Sequence, residues 1–154
     1  EVKTAAAGDF DIVIPAHDPN YRSEAEISFP KGGTVFSMAP HMHYRGKDFD
    51  YTAVYPDGRE VKLLSVPNYD FNWQTTYYLA EPLVLPPGGK IKCVAHFDNS
   101  ENNPYNPDPS KTVTWGDQTW EEMMIGFFHY SAATEPEELQ HTEVQTEKSP
   151  VAGD

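Results

Sequence analysis

Disulfide bonds within this chain are excluded at the outset, because its 154 residues include a single cysteine, Cys93. The compartment stays open on that count, since many periplasmic proteins also lack disulfides. Apolar runs are short: none approaches the roughly 18 residues of a membrane-spanning helix, so no membrane span is expected. Basic residues are scarce. Eleven Lys and Arg stand against 24 Asp and Glu, a formal net charge of -13, and such a surface repels nucleic-acid backbones and anionic lipid alike. No nucleic-acid partner is expected. Long helices have little room, with fourteen prolines and ten glycines spread along the chain,. P-loop, dinucleotide, G-x-S-x-G and EF-hand patterns are all missing, as is an N-x-Ser/Thr glycosylation acceptor,. The chain starts at Glu1 with no initiator methionine or apolar leader, the form of a processed mature protein or of a segment cut from a longer one,. Location in the periplasm or outside the cell is the expectation.

What is present reads as β structure. Aromatic residues make up 13% of the chain, and they favour strands. "DFDIVIP" (9–15), "SEAEISFP" (23–30) and "GGTVFSMAP" (32–40) read as short strands,. In 48–66, Phe49, Tyr51, Ala53 and Tyr55 alternate before Pro56-Asp57-Gly58, and "REVKLLSV" returns, which predicts a β-hairpin,. Two or three further strands fit 74–99, split by Pro86-Pro87-Gly88-Gly89. The Asn/Asp/Pro-rich stretch 98–111 is a loop built on Asx-turns, and 112–116 and 122–132 close the set,. Turn residues between evenly spaced short strands predict a single-domain, all-β fold over 1–130, an antiparallel sandwich or jelly roll. Residues 131–154 hold six acidic residues and one lysine with almost no apolar periodicity. This is the composition of a tail, expected to dock on its own sandwich or on a partner in a larger assembly.

Two histidines, His41 and His43, lie one residue apart in "PHMHYRGKDF" (40–49). On a strand, positions i and i+2 share a face about 7 Å apart. The pair can therefore converge on one ion with Met42 turned away, or be two ordinary strand histidines. Met123 and Met124 follow the acidic pair Glu121-Glu122 at the start of an apolar stretch. A thioether favours copper, Cu(I) above all, while methionines in such a stretch commonly fill the core. The other histidines, His17, His96, His129 and His141, show no ligand spacing. His96 alone is kept in view, because its strand should run near the pair. Cys93, inside an apolar strand, reads as packing. Arg45 and Lys47 read as a solvated strand edge, in reach of Asp48 or Asp50. The aromatic residues Tyr44, Tyr51, Tyr69, Trp73, Tyr77 and Tyr78 could line an apolar pocket or carry electrons, with packing the usual role.

Three stretches in order, "HMHYRGK" (41–47), "CVAHFDNS" (93–100) and "TWEEMMIGFFHY" (119–130), resemble the second domain of the copper type II, ascorbate-dependent monooxygenases. That family includes the peptidylglycine α-hydroxylating and dopamine β-monooxygenases. The resemblance covers residues 10–130 and implies a jelly-roll domain with His41, His43 and Met123 as ligands of the oxygen-activating copper. Met123 is preferred to Met124 because it directly follows the acidic pair. Departures accompany it. Where peptide-amidating members carry a carboxylate-binding arginine, this chain has Ala39. Met124 replaces a cysteine, so Cys93 lacks the disulfide partner the family would supply. The peptide-binding positions on the methionine strand are Ile125 and Phe127. A peptide C-terminus is therefore not the expected substrate, and "NYDFNWQ" (68–74) and the 98–111 loop look more like bacterial relatives.

The family's second copper, held by three histidines on a preceding domain, has no counterpart here. The resemblance thus implies a mono-copper domain for C–H hydroxylation with dioxygen, its electrons coming from ascorbate or from a redox protein or domain. The alternatives are a non-catalytic copper carrier, electron-transfer or accessory subunit of a redox assembly, and a sandwich that keeps the motif without a metal.

Overall fold

The computed structural model describes residues 1–133, so the expected docking of the acidic tail lies outside the described residues. Ten strands follow one another: β1 (Lys3–Gly8), β2 (Val13–Ile14), β3 (Tyr21–Phe29), β4 (Gly33–His41), β5 (Gly46–Val54), β6 (Glu60–Val66), β7 (Tyr77–Leu85), β8 (Gly89–Phe97), β9 (Val113–Thr114) and β10 (Ile125–Ala132). Among the described residues no helix forms. Two four-stranded antiparallel sheets result, ordered β1-β10-β4-β7 and β3-β8-β5-β6, with β2 and β9 as a short extra pair. Leaving that pair aside, the first strand lies beside the last, the second beside the second-last, and so on inward to β5 and β6. This is the nested pairing of a rolled-up double strand, and the fold is a jelly-roll sandwich.

Local sequence explains the hairpin at the centre of the roll. Gly58 adopts φ +86°, and its amide donates to the Tyr55 carbonyl at 2.9 Å. The Asp57 carboxylate then accepts from the Arg59 amide at 2.9 Å, while the Arg59 guanidinium sits 3.8 Å above the Tyr55 ring,. The segment 9–15 departs from expectation: Asp9 accepts from the Asp11 amide at 3.1 Å, which turns the chain and leaves only Val13–Ile14 extended. The alanine-rich β1 shows no strand propensity in its sequence and is extended because it pairs along its whole length with β10,.

The core lies between the sheets. Val35, Met38 and Phe128 from one side meet Phe49, Tyr51, Ile91, Cys93, Ala95 and Phe97 from the other. Burial pushes the Cys93 thiol well above its ordinary range, so the residue packs and does not react. Tyr51 ties the layers together, its buried hydroxyl donating to the Phe127 carbonyl at 3.0 Å. The sheets approach so closely at Gly126 that a Cβ there would lie 2.4 Å from Cys93 Sγ and 3.1 Å from the Tyr51 ring.

Antiparallel pairing also positions the connections. The ends of β4, β6 and β8 and the starts of β5, β7 and β10 fall at one end of the sandwich. The segments 42–45, 67–76 and 98–124 therefore gather there. Gly126→Ala is expected to destabilise the domain by about 1–3 kcal/mol through overpacking, read from the midpoint of chemical denaturation. Adding Cys93→Ala should recover part of the loss. A neutral single variant would mean that the sheets are not in contact at this point.

Candidate metal centre

His41 is the last residue of β4, and His43 follows in the turn that leads to β5. Their rings meet edge to face with centroids 5.2 Å apart, and His43 lies beyond the strand on which the pair was expected to sit. Met42 between them is buried in the core. His43 is itself almost wholly buried, whereas His41 remains half-exposed.

Each imidazole is held through the same ring nitrogen. His41 Nδ1 lies 2.6 Å from Gln74 Oε1. Gln74 Nε2 donates to the Phe71 carbonyl at 2.9 Å, which turns the amide oxygen toward the histidine. An amide oxygen only accepts, so His41 Nδ1 carries the proton. His43 Nδ1 lies 3.2 Å from the Glu121 carbonyl, another pure acceptor, and is protonated for the same reason. In this tautomer Nε2 carries the lone pair of each ring, as in metal-bound histidines fixed by a second partner. Burial lowers the pKa of His43; the Glu121 carbonyl opposes the shift and neighbouring His41 adds to it. A lowered pKa keeps the ring neutral and able to bind a metal.

The turn that carries the histidines is anchored from two sides. Glu122 is wholly buried. Its carboxylate accepts from the amides of His43 at 2.9 Å, Arg45 at 2.7 Å and Met123 at 3.3 Å. Burial pushes its carboxyl up to about 7, opposed by the Arg45 and His43 amides and by the Arg45 guanidinium. From the other side, the Tyr69 hydroxyl donates to the Met42 carbonyl at 2.7 Å and accepts from the Met42 amide at 3.0 Å. Arg45 departs from the solvated edge expected of it. It is 2% exposed, its Nε donating to Asn99 Oδ1 and a terminal guanidinium nitrogen to the Trp120 carbonyl, each at 2.9 Å. The acidic residues once in reach have other partners: Asp48 pairs with His96 and Asp50 with Lys62. Asn99 extends the anchor, donating to the Pro15 and Lys111 carbonyls, and Asx-turns at Asp98, Asn103, Asn106 and Asp108 shape the loop around it.

The two methionines part company. Met124 is fully buried in the core, while Met123 is half-buried on the side of Ile125 and Phe127. Both residues precede β10, which starts at Ile125. Ile125 pairs with His41 and Phe127 with Ala39; two residues beyond the first of these pairs lie Met123 and His43. The bond from His43 to Glu121 and the shared grip of Glu122 hold those segments side by side. Neutral imidazoles and a thioether are soft, uncharged donors, of the kind that suits copper better than magnesium or zinc.

The remaining histidines are employed elsewhere. His96 lies on β8 among outward-facing residues of the second sheet, bonded to Asp48 at 2.7 Å. The thickness of the sandwich separates it from the pair. His129 bonds Ser37 Oγ at 2.7 Å, and His17 meets Glu101. His141 lies outside the described residues. Gln74, Tyr69, Glu122 and the Glu121 carbonyl are support that sequence reasoning missed. Only the acidic pair before Met123 carried a signal, and it pointed to the methionine rather than to the carboxylate.

Among known proteins, the family described as copper type II ascorbate-dependent monooxygenase, C-terminal domain, matches residues 19–150. The mouse protein DBH-like monooxygenase protein 1 is 28% identical over 130 residues, 76% of this chain and 20% of its own length. The human protein of that name gives the same figures, and the chicken protein is 26% identical over the same span. The chain thus covers about a fifth of the length of these curated relatives.

Glu122→Ala would strand three amide donors in a buried site. It should cost about 2–4 kcal/mol, since each unsatisfied buried donor costs about 1–3 kcal/mol before relaxation, and the His43 ring resonances should shift. Tyr69→Phe removes one donor and one acceptor and should cost less, about 1–3 kcal/mol. Denaturant titration and histidine NMR of both variants would check the order; an unperturbed Glu122→Ala would contradict the anchoring role.

Proposed function

The chain belongs to the copper type II ascorbate-dependent monooxygenases, as their C-terminal domain, and from that premise we propose that His41, His43 and Met123 hold one copper ion for hydroxylation of a C–H bond by dioxygen. The observation that carries this reading is the matched pair of imidazoles, each with Nδ1 committed to a carbonyl-type acceptor. Copper held there supplies one-electron chemistry toward dioxygen.

The chain's own groups do the rest. The Glu121 carbonyl and Gln74 amide orient the rings, and Glu122 fixes the turn that carries them. Met123 contributes a neutral, polarizable donor that favours the reduced metal. Inserting one oxygen atom into a C–H bond consumes one dioxygen, two electrons and two protons and releases one water. One copper ion would supply one electron, and among the described residues no group of three or more His, Cys, Asp or Glu side chains assembles that could hold another metal. The balance would come from an ascorbate-like donor or from a partner redox protein or domain. The second reading is a copper-binding, electron-transfer or accessory subunit of a redox assembly that performs no hydroxylation alone. A periplasmic or extracellular location fits both.

Anaerobic Cu(I) titration of the purified chain tests the metal site. One equivalent should bind tightly, His41→Ala and His43→Ala should abolish tight binding, and Met123→Ala should weaken it. Gln74→Leu should weaken it by about 10–100-fold, the usual effect of removing a ligand's outer partner. Equal uptake by wild type and both histidine variants would reject the proposal. Dioxygen consumption with ascorbate and substrate, accompanied by labelled oxygen in the product, would separate the catalytic reading from the carrier.

A further inference from the structure

Beside His41 the outer face of the first sheet is hollow. Ala39, Pro40, Thr75, Thr76 and Phe127 line a cavity of about 170 Å³ that reaches His41 and Gln74. The Phe127 ring lies 6.4 Å, centroid to centroid, from the His41 imidazole. No lysine, arginine, aspartate or glutamate contributes to the lining. Both ends of the Gln74 amide are engaged, one by His41 and one by the Phe71 carbonyl. Among the described residues the hydroxyls of Thr75 and Thr76 have no hydrogen-bond partner to give up.

We infer that this cavity is a binding site for an uncharged, predominantly apolar molecule the size of one aromatic ring, held against Phe127, Ala39 and Pro40 with one neutral polar group on Thr75 or Thr76. That the molecule is a substrate rests on the copper reading; that it binds does not. Size and charge each contribute to the choice. A cavity of roughly 150 Å³ accommodates benzene, so one substituted ring fits here. The cavity opens broadly to solvent, and an ion seated in it would meet no counter-charge among the lining residues. For a carboxylate the formal charge of -13 adds repulsion on approach,. An ammonium group would be drawn to the surface but would find no carboxylate in the lining.

The test uses the copper-free chain and three probes of one shape: benzyl alcohol, benzoate and benzylamine, titrated by NMR. Benzyl alcohol should bind at least tenfold tighter than either ion, with shift changes centred on Phe127, Thr75 and Thr76. Phe127→Ala should weaken it several-fold. Ala39→Arg, which places a guanidinium at the rim, should raise benzoate affinity at least tenfold and lower that for benzylamine. Either ion binding as tightly as the alcohol would overturn the inference, as would shifts away from these residues or no binding of the alcohol. Cu(I) titration of the same samples is scored separately. Copper bound without the alcohol defeats the pocket alone, whereas the alcohol bound without copper defeats the copper reading and leaves the pocket standing.

Discussion

A single buried carboxylate holds the working end of this molecule together. Three consecutive turns of chain meet at the end of a sandwich where no strand continues to satisfy their amides, and Glu122 accepts from three of them at once. An exposed loop would give those amides to water, and the loop would then wander. Inside the protein they need a fixed acceptor, and an acceptor with two oxygens can bind two chain segments in one register. The cost is a buried acid, offset by Arg45, whose guanidinium is in turn immobilised by Asn99 and the Trp120 carbonyl. The histidine rings inherit their positions from this arrangement, in which the His43 amide is one of the three anchored donors.

The jelly roll provides the conditions for that geometry. Nested antiparallel pairing brings strand ends distant in sequence to one end of the barrel-like stack, so residues from 41–45, 69–74 and 118–123 become neighbours. The Tyr51 hydroxyl and the close approach at Gly126 lock the two sheets at a point next to the strand that leads out to Met123. Rigid layers below and hydrogen-bonded turns above restrict His41 and His43 to a small range of movement. Under the copper reading proposed above, side chains held this way would suit a metal that changes oxidation state without rearranging its surroundings.

Much of this was legible in the sequence wherever the signal was local. The central hairpin followed from alternation and a Pro-Asp-Gly turn, Cys93 from its apolar strand, and the histidine pair from its spacing. The separation of Met123 from Met124 rested on resemblance alone; the structure buries Met124 and leaves Met123 partly exposed. What could not be read were partners remote along the chain. Arg45 sits among charged and polar neighbours in sequence and gave every sign of a solvated edge, because its acceptors lie 54 and 75 residues away. Gln74 carries no spacing rule that links it to His41, 33 residues earlier. Strand β1 escaped notice since pairing with β10, not propensity, makes it extended.

The four methionines are unequally shielded, and that inequality bears on how the protein ages. Met38, Met42 and Met124 are sealed in the core, each at most 1% exposed, while Met123 is partly open to solvent. A dissolved oxidant therefore reaches one thioether far more readily than the other three. Conversion of that sulfur to the sulfoxide, which a sulfoxide reductase could reverse, would place a polar oxygen outside the sealed core. Under the proposed copper site, wear of the domain would then show as a gradual drift in metal preference rather than as unfolding.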